Sequence, residues 1–127
     1  CVVVSPIVPM TKTDVGFECI SIKENKPFSY KLVSEHMKDK SKLVSAFHVI
    51  SEKKLVNPTL ELDYDIFVCG DDKDSVEKVN ELINEIKGLR SIYLGPIELS
   101  YLAEMSTPLL LNAMIRNKIK NPGIKII

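Results

Sequence analysis

The side chains best suited to chemistry in this sequence stand where predicted strands end. His48, one of two histidines, closes the apolar segment KLVSAFH at residues 42–48, which is typical of a buried strand. An imidazole there could hold a polar ligand, because open α/β sheets bind ligands beyond the carboxyl ends of their strands. A core-edge imidazole hydrogen-bonded to the backbone is the alternative, and the residues leave both interpretations open. The second histidine, His36, falls on the exposed side of a predicted helix and is expected to be solvated.

Two other polar groups stand at predicted helix boundaries. The sequence GDD at 70–72 follows an apolar strand, and capping of the next helix explains its carboxylates more simply than a metal site does. We therefore predict no metal ligand. Ser106 and Thr107 directly precede Pro108 in a helical pattern. Their hydroxyls suit the edge of a polar ligand, although plain helix punctuation also accounts for them.

Other chemical signatures are missing from the sequence. It contains no glycine-rich dinucleotide or phosphate loop, no nucleophile elbow, and no His/Cys cluster with metal-ligand spacing. Its three cysteines, Cys1, Cys19 and Cys69, are odd in number and widely spaced. Small buried thiols in a reduced, cytoplasmic protein explain them better than disulfides or zinc. The residues alone indicate an α/β domain and no specific reaction.

The composition excludes several classes of protein. The 127 residues are 45% hydrophobic and 27% charged, as expected of a globular domain with a real core. The 17 Lys and Arg residues balance 17 Asp and Glu, so bulk charge favours neither nucleic acid nor a membrane surface. No apolar run reaches the roughly 20 residues that span a bilayer. We expect neither nucleic acid nor membrane as a partner.

The apolar pattern predicts the elements that position these residues. Continuous apolar runs indicate four buried strands, at residues 2–8, 42–48, 65–69 and 90–94. Between the last two strands, apolar residues recur at helical spacing from Val76 to Ile86. Strand, helix and strand in about 30 residues form a βαβ unit, so we expect a parallel sheet.

The remaining segments have less regular patterns of apolar residues. Residues 11–28 are expected to form a loop with one weak strand, and 29–38 an amphipathic helix that buries Leu32, Val33 and Met37. A helical pattern from Leu99 onward crosses Pro108, which predicts a kink or two abutting helices. The ending NPGIKII predicts a turn and a short terminal strand.

Several segments together resemble one family. AFHVIS at 46–51, DIFVCGDD at 65–72 and KGLRSIYLGPIELSYLAEMSTPLLLNAMIRN at 87–117 resemble the NADPH-dependent F420 reductases, also called F420:NADP oxidoreductases. The opening VVVSPIVP resembles the family's VISPVVP strand, and GIKII closes the match. The resemblance implies an α/β fold: part of a Rossmann-like parallel sheet plus a small, mostly helical C-terminal segment that covers the substrate.

The resemblance also implies a place in a longer chain. Residues 1–60 would be the second part of a Rossmann-like NADP-binding domain, and 61–127 the C-terminal deazaflavin-side domain. The family's glycine-rich first half does not match any segment here, so we expect it to precede this chain in a parent protein. The implied reaction is hydride transfer between NADP(H) and coenzyme F420. Such a transfer needs stacked rings and no general base, so no catalytic residue is assigned.

The family's site residues carry over to matching positions of this sequence. His48 would orient the deazaflavin, Ile50 would set the ring spacing, and Thr107, directly before Pro108, would donate to a ring carbonyl. Substrate binding is thus assigned to His48, Ile50, Thr107 and Pro108, and NADP contacts to Val8 and Pro9. We expect His48, Ile50 and Thr107 to converge on one cleft, although 59 positions separate the first from the third.

Two positions depart from the family pattern and leave alternatives open. Tyr101 stands where the family usually has arginine, and Met105 where it has serine. A nicotinamide-dependent reductase with another acceptor is one alternative. A non-catalytic remnant or partner-binding module that kept the fold is another. Family members are usually homodimers, and apolar strand surface near residues 2–4 is expected to favour association.

Overall fold

The computed structural model describes residues 2–48, 63–120 and 122–127. Within these ranges the strands are β1 (Val3–Ser5), β2 (Met10–Thr13), β3 (Gly16–Cys19), β4 (Leu43–Ser45), β5 (Tyr64–Gly70) and β6 (Leu89–Gly95). The α-helices are α1 (Ile20–Lys23), α2 (Ser29–Glu35), α3 (Lys73–Glu85) and α4 (Ser100–Asn117). Short 3-10 turns at Lys40–Lys42 and Ile97–Leu99 lead into β4 and α4.

The main sheet has the strand order β1-β4-β5-β6. The β1–β4 and β5–β6 pairs are parallel, so the predicted α/β fold with a mostly parallel sheet is confirmed. The β4–β5 pair is antiparallel, with Val44 facing Gly70 and Ser45 facing Cys69, so the sheet is parallel only in part. Apolar runs locate strands without giving their direction, and only the βαβ unit fixed a direction in advance.

The antiparallel pair changes which strand ends are neighbours. The carboxyl end of β4, which leads to His48, points away from the carboxyl end of β5. Residues 70–72 therefore do not share an edge of the sheet with His48, contrary to expectation. β4 precedes residue 60 and β5 follows it, and the two strands are neighbours in one sheet. The division into two domains between residues 60 and 61 stays a prediction.

The core lies between the sheet and α3. Val68 and Ile66 of β5 pack with the inner face of α3, which buries Val76, Val79 and Ile83. The predicted cap of this helix is confirmed, because the Asp72 carboxylate accepts from the Ser75 amide at 3.0 Å. Capping satisfies a backbone donor that the first helical turn leaves unpaired.

The segment predicted as a loop is a β-hairpin. β2 and β3 pair antiparallel with Thr13 opposite Gly16, and the chain turns at Asp14 and Val15. Gly16 has a φ of 135°, which only glycine adopts readily, and this conformation closes a very short turn. The turn sequence was not recognised as a hairpin signal. β1 is also shorter than the predicted strand 2–8, and its half-buried valines form an edge of the sheet.

Helix α2 buries a different face from the predicted one. α2 buries Ser29 and Tyr30, whereas Leu32 is 48% exposed. The apolar spacing was therefore a poor guide to the packing of this short helix. Its first turn instead packs against α4, where the Ser29 amide donates to a buried carboxylate of Glu104 at 2.9 Å.

The C-terminal helix α4 is continuous through Pro108, so the alternative of two abutting helices is wrong. No terminal strand forms in residues 122–127; that segment instead lies on β5, where the Asp65 amide donates to the Ile124 carbonyl at 2.7 Å. None of the helices in the described ranges is long and apolar enough to cross a membrane.

Candidate functional site

The inner face of α4 is unusually polar for a buried helix face. Four of its side chains bond to four separate segments: Ser100 to β4, Glu104 to α2, Thr107 to the turn after β4, and Asn112 to β3. The spacing of Ser100, Glu104 and Thr107 puts them on one side of the helix, whereas Asn112 lies on the side that faces the β2–β3 hairpin. α4 is thus the element that assembles the site, and its polar side chains determine what lies beside it.

The structure brings His48 and Thr107 together, as predicted. The Thr107 hydroxyl donates to the His48 backbone carbonyl over 2.6 Å. The single hydroxyl hydrogen of Thr107 is therefore directed at the protein, and its oxygen keeps lone pairs that could accept a hydrogen bond. The two residues that the motifs assigned to one cleft are in direct contact.

The His48 side chain is buried and neutral. It is 7% exposed, and burial lowers its pKa to about 4 from a usual 6.5. Its Nδ1 atom has no hydrogen-bond partner among the described residues. Buried polar atoms are nearly always paired, so an unpaired ring nitrogen suggests a partner outside the described residues or a ligand.

The turn that carries His48 has an unusual backbone. Phe47 has a φ of 65°, in the left-handed region that side chains larger than glycine rarely adopt. At the start of this turn, the Ser45 hydroxyl lies 2.6 Å from the Ser100 hydroxyl of α4. Both ends of this short turn are therefore tied to the same helix.

A second buried polar group lies deeper under α4. The Ser45 and Ser100 hydroxyls also hydrogen-bond the Cys69 thiol, whose pKa is raised mainly by burial. Glu104 is 1% exposed, and its pKa is likewise raised by burial. One of its oxygens accepts from Ser29, and the other has no partner among the described residues. Burial disfavours the thiolate of Cys69, which is the reactive form of a cysteine.

Pro108 lines an apolar groove beside α4. The groove has a volume of about 310 Å³ and lies between the helix and the β2–β3 hairpin, where Phe17, Cys19 and Leu109 also line it. Asn112 holds the hairpin in place through two hydrogen bonds with the Phe17 backbone, at 2.7 and 2.8 Å. A flat apolar ligand or a protein side chain fits such a surface.

The two positions that depart from the family pattern face one further groove. Tyr101 and Met105 lie one turn apart on α4 and line a groove of about 600 Å³ together with Tyr30. Phe28 lies on the same groove and packs against Tyr101, with ring centroids 5.6 Å apart and planes at 49°. At these positions the groove wall is therefore aromatic and apolar, while Lys31 and Glu98 add one cation and one carboxylate to the lining.

The predicted NADP contacts follow β1, whose carboxyl end lies beside that of β4 in their parallel pair. Val8 and Pro9 lie between β1 and β2, and the Pro9 carbonyl accepts from the Ile20 amide at 3.1 Å. Ile50 lies outside the described residues. In the described ranges no cluster of three or more metal-ligating side chains occurs.

Sequence reasoning missed the buried polar residues that support the site. Ser45, Ser100 and Glu104 were not singled out, because a lone serine in an apolar run gives little signal. The one available clue was a polar residue within the buried segment at 42–48, since a buried hydroxyl requires a partner. The identity of that partner depends on tertiary packing.

The sequence matches known reductases over most of its length. It is 37% identical over 86 residues to the F420-dependent NADP reductase of Methanothermobacter thermautotrophicus, and 41% identical over 86 residues to that of Methanocaldococcus jannaschii. These alignments cover 68% of this chain but only 37% and 39% of the two relatives. The chain thus spans about two fifths of the length of these relatives. No family model matches the sequence.

The fold has a counterpart among solved structures. A crystal structure of a candidate F420-dependent NADP reductase from Arthrobacter sp. FB24 superposes with a TM-score of 0.81 at 19% identity. The superposition covers 99% of this chain and 57% of the other. At this identity the likeness concerns the fold, whereas the curated relatives supply the sequence relationship. The resemblance predicted from the motifs is therefore confirmed, and the chain is a homologue of the F420-dependent NADP reductases.

Proposed function

We propose that this chain takes part in hydride transfer between NADP(H) and coenzyme F420, as one section of a longer, cytoplasmic parent protein. The sequence identity of 36–41% to reductases named for that reaction supports the proposal. The observation that carries it in this structure is the contact between Thr107 and His48, which joins two motif residues 59 positions apart at 2.6 Å.

The His48 side chain fits the edge of a deazaflavin. Its Nδ1 is buried and unpaired among the described residues, and burial keeps the ring neutral above pH 5 because the pKa is about 4. A neutral imidazole can donate or accept one hydrogen bond according to its tautomer. When bound, the nicotinamide supplies a hydride from C4 and the deazaflavin accepts it at C5. His48 would fix the orientation of the accepting ring.

Thr107 has a supporting role in this proposal. Its hydroxyl hydrogen already engages the His48 carbonyl, so donation to a ring carbonyl would require that hydrogen to leave its present partner. In the present arrangement the threonine holds the histidine and offers only lone pairs to a ligand. Pro108 would contribute apolar contact beside it, since it is buried and lines a groove.

NADP binding would depend largely on residues outside this chain. The sequence has no glycine-rich loop to cradle a pyrophosphate, so we propose that a preceding segment of the parent supplies one. Val8 and Pro9, which follow β1, would contact the nicotinamide side. Residues 1–60 would then complete a Rossmann-like nucleotide domain and 61–127 would cover the deazaflavin.

The wall of the larger groove favours a second candidate function. Tyr101 and Met105 provide no cation or small hydroxyl, and Phe28 adds a second ring. A nicotinamide-dependent reductase with a less anionic, aromatic acceptor would suit this wall. A partner-binding module without catalysis would use the same apolar surface. Binding of F420 separates these alternatives from the first proposal.

The parent is further proposed to be a homodimer that pairs two copies of α4. Leu102, Met105 and Leu109 are 49%, 39% and 64% exposed on the outer side of this helix. These three residues recur with spacings of three and four residues, which places them in one exposed apolar stripe on α4. Two copies of the helix would bury this stripe against each other around a two-fold axis.

Sedimentation of the wild-type chain and two variants tests the dimer. Leu109→Glu, which puts a carboxylate on the most exposed residue of the stripe, should convert dimers to monomers. Leu82→Glu is the matched control, because Leu82 is 49% exposed on α3. A wild-type chain that sediments as a monomer at high concentration contradicts the proposal, and so does a dimer that survives Leu109→Glu.

Absorbance of the deazaflavin in the presence of NADPH tests the reaction. The 127-residue chain alone should give no turnover, because it lacks a phosphate-binding loop. The parent protein should reduce F420, and His48→Ala should weaken F420 binding or slow reduction about tenfold, roughly 1.4 kcal/mol, with the fold intact. His36→Ala is the matched control at an exposed histidine.

Three results would contradict this account of the reaction. A parent protein that oxidises NADPH with another acceptor but never with F420 would leave the second candidate function in its place. If His48→Ala lowers stability and spares the kinetics, His48 is a packed core residue. Turnover by the 127-residue chain alone would show that the preceding segment is dispensable.

A further inference from the structure

The turn that presents His48 is held by two hydroxyl contacts to one helix. At its start, the Ser45 hydroxyl lies 2.6 Å from the Ser100 hydroxyl, and at its end the Thr107 hydroxyl donates to the His48 carbonyl over 2.6 Å. Ser100 and Thr107 are seven residues apart on α4, which is about two helical turns. The helix therefore sets the position of both ends of the turn.

The backbone between these contacts is strained. Phe47 has a φ of 65°. In an L-residue with a large side chain this conformation costs free energy, which other contacts must offset. Its ring packs against the core formed by β4, β5 and α3. Such conformations persist only where the surroundings over-determine them, and they occur preferentially at functional sites. The two hydroxyl contacts supply that constraint.

We propose that Ser100 is a positioning residue for His48, acting through Ser45 to hold the Phe47 turn in its left-handed conformation. The proposal rests on the proposed function only for what the imidazole is held ready to bind. Nothing in the sequence motifs singles out Ser100. It is fully buried, and its hydroxyl reaches His48 only through the strand end and the turn.

The geometry distinguishes positioning from general packing. Ser45 is 1% exposed and Ser100 is 0% exposed, so neither hydroxyl has water as a substitute partner. Removal of one hydroxyl leaves the other with the Cys69 thiol, a weak hydrogen-bonding group. We expect the strand end to move away from α4, which relaxes Phe47 and opens a path for water to the imidazole.

NMR spectroscopy of the imidazoles in the unliganded chain tests this inference. Ser100→Ala should raise the pKa of His48 from about 4 toward 6.5 by at least half a unit, about threefold in proton affinity, because burial is what lowers it. His36 is exposed and serves as the internal reference. Ser45→Ala should shift His48 in the same way, since it removes the same contact.

The matched control is Ser75→Ala. Ser75 is as buried as Ser45, at 1% exposed, but its hydroxyl donates to the Asp72 carboxylate at the start of α3, away from the turn. Its loss should lower stability and leave the His48 titration unchanged. If Ser100→Ala fails to fold, the His48 titration is measured in Ser45→Ala, which removes the same hydroxyl contact from the β4 side.

Two outcomes overturn the proposal. One is a His48 titration that is the same in wild type, Ser100→Ala and Ser45→Ala. The other is an equal shift in Ser75→Ala, which would show that any loss of stability exposes the imidazole. Neither outcome depends on F420, because no ligand is present in the measurement. Failure of the proposed function is seen separately, as absence of F420 reduction by the parent.

Discussion

Replacing Asp65 by asparagine is expected to loosen the C-terminal segment from the sheet. Asp65 is 0% exposed at the start of β5, and its carboxylate accepts from Arg90 Nε and Nη2, each at 2.8 Å. It also accepts from the Ile126 amide at 2.6 Å, while Arg90 donates to the Ile126 carbonyl at 2.8 Å. One ion pair thus joins β5, β6 and the terminal segment.

The size of the effect follows from the pKa of this carboxyl. The hydrogen bonds from Arg90, and after them that from Ile126, lower the pKa of Asp65 to about 2 from 3.8. A shift of nearly two units corresponds to roughly 2.5 kcal/mol if nothing screens it. Arg90 is 47% exposed, so water screens the pair, and we expect a loss of about 1–2 kcal/mol at pH 7.

The pH dependence has a definite sign. Because the folded-state pKa is depressed, the stabilisation is fully present above pH 3.8 and is lost as the pH falls through about 2. Urea unfolding of wild type and Asp65→Asn should therefore differ at pH 7 and converge near pH 2. Asp63→Asn is the control, since Asp63 pairs with Lys125 at 2.9 Å but is 77% exposed.

Three results would refute the reasoning. Equal stability of wild type and Asp65→Asn at pH 7 would mean that the buried ion pair contributes nothing to the fold. A difference that persists unchanged at pH 2 would mean that charge is not its origin. A loss in Asp63→Asn as large as in Asp65→Asn would assign the effect to the exposed lysine contact.

Three further predictions concern other contacts of the fold. Burial raises the pKa of Glu104, so its contribution to stability is present below its unfolded-state pKa and is lost as pH rises through the folded value. Glu104→Gln should remove this fall in stability, which urea unfolding at increasing pH above 4.5 measures. Gly123→Ala should detach the terminal segment and speed amide exchange near it, because the new Cβ would lie 2.3 Å from the Tyr64 ring. Asn112→Ala should cost about 2 kcal/mol in thermal unfolding, since two hydrogen bonds to Phe17 are lost.

Local patterns in the sequence predicted part of the fold well. The βαβ unit from β5 to β6 follows from apolar periodicity, and the cap at Asp72 follows from residue type. The antiparallel β4–β5 pair could not be predicted, because nothing in an apolar run specifies the direction of its neighbour. The β2–β3 hairpin was missed, since its turn depends on the positive φ of Gly16 in a sequence without a standard hairpin turn.

Only those residues of the candidate site that belong to the family-like motifs could be predicted from the sequence. His48 and Thr107 were placed together by resemblance, and the structure has them in contact at 2.6 Å. Ser45 and Ser100 were not predicted, because a buried hydroxyl pair is defined by the packing of α4 on β4 and has no sequence spacing of its own. The polar inner face of α4 also contradicts the usual rule that a helix buries its apolar side.

Titration of the 127-residue chain with F420, followed by NMR spectroscopy of the two imidazoles, tests the central claim most directly. The account predicts that the His48 ring resonances shift with saturable dependence on F420, that the exposed His36 does not respond, and that Thr107→Ala weakens the response. A His48 signal that stays unchanged at saturating F420, or one that moves no more than His36, would contradict the assignment of this cleft to the deazaflavin.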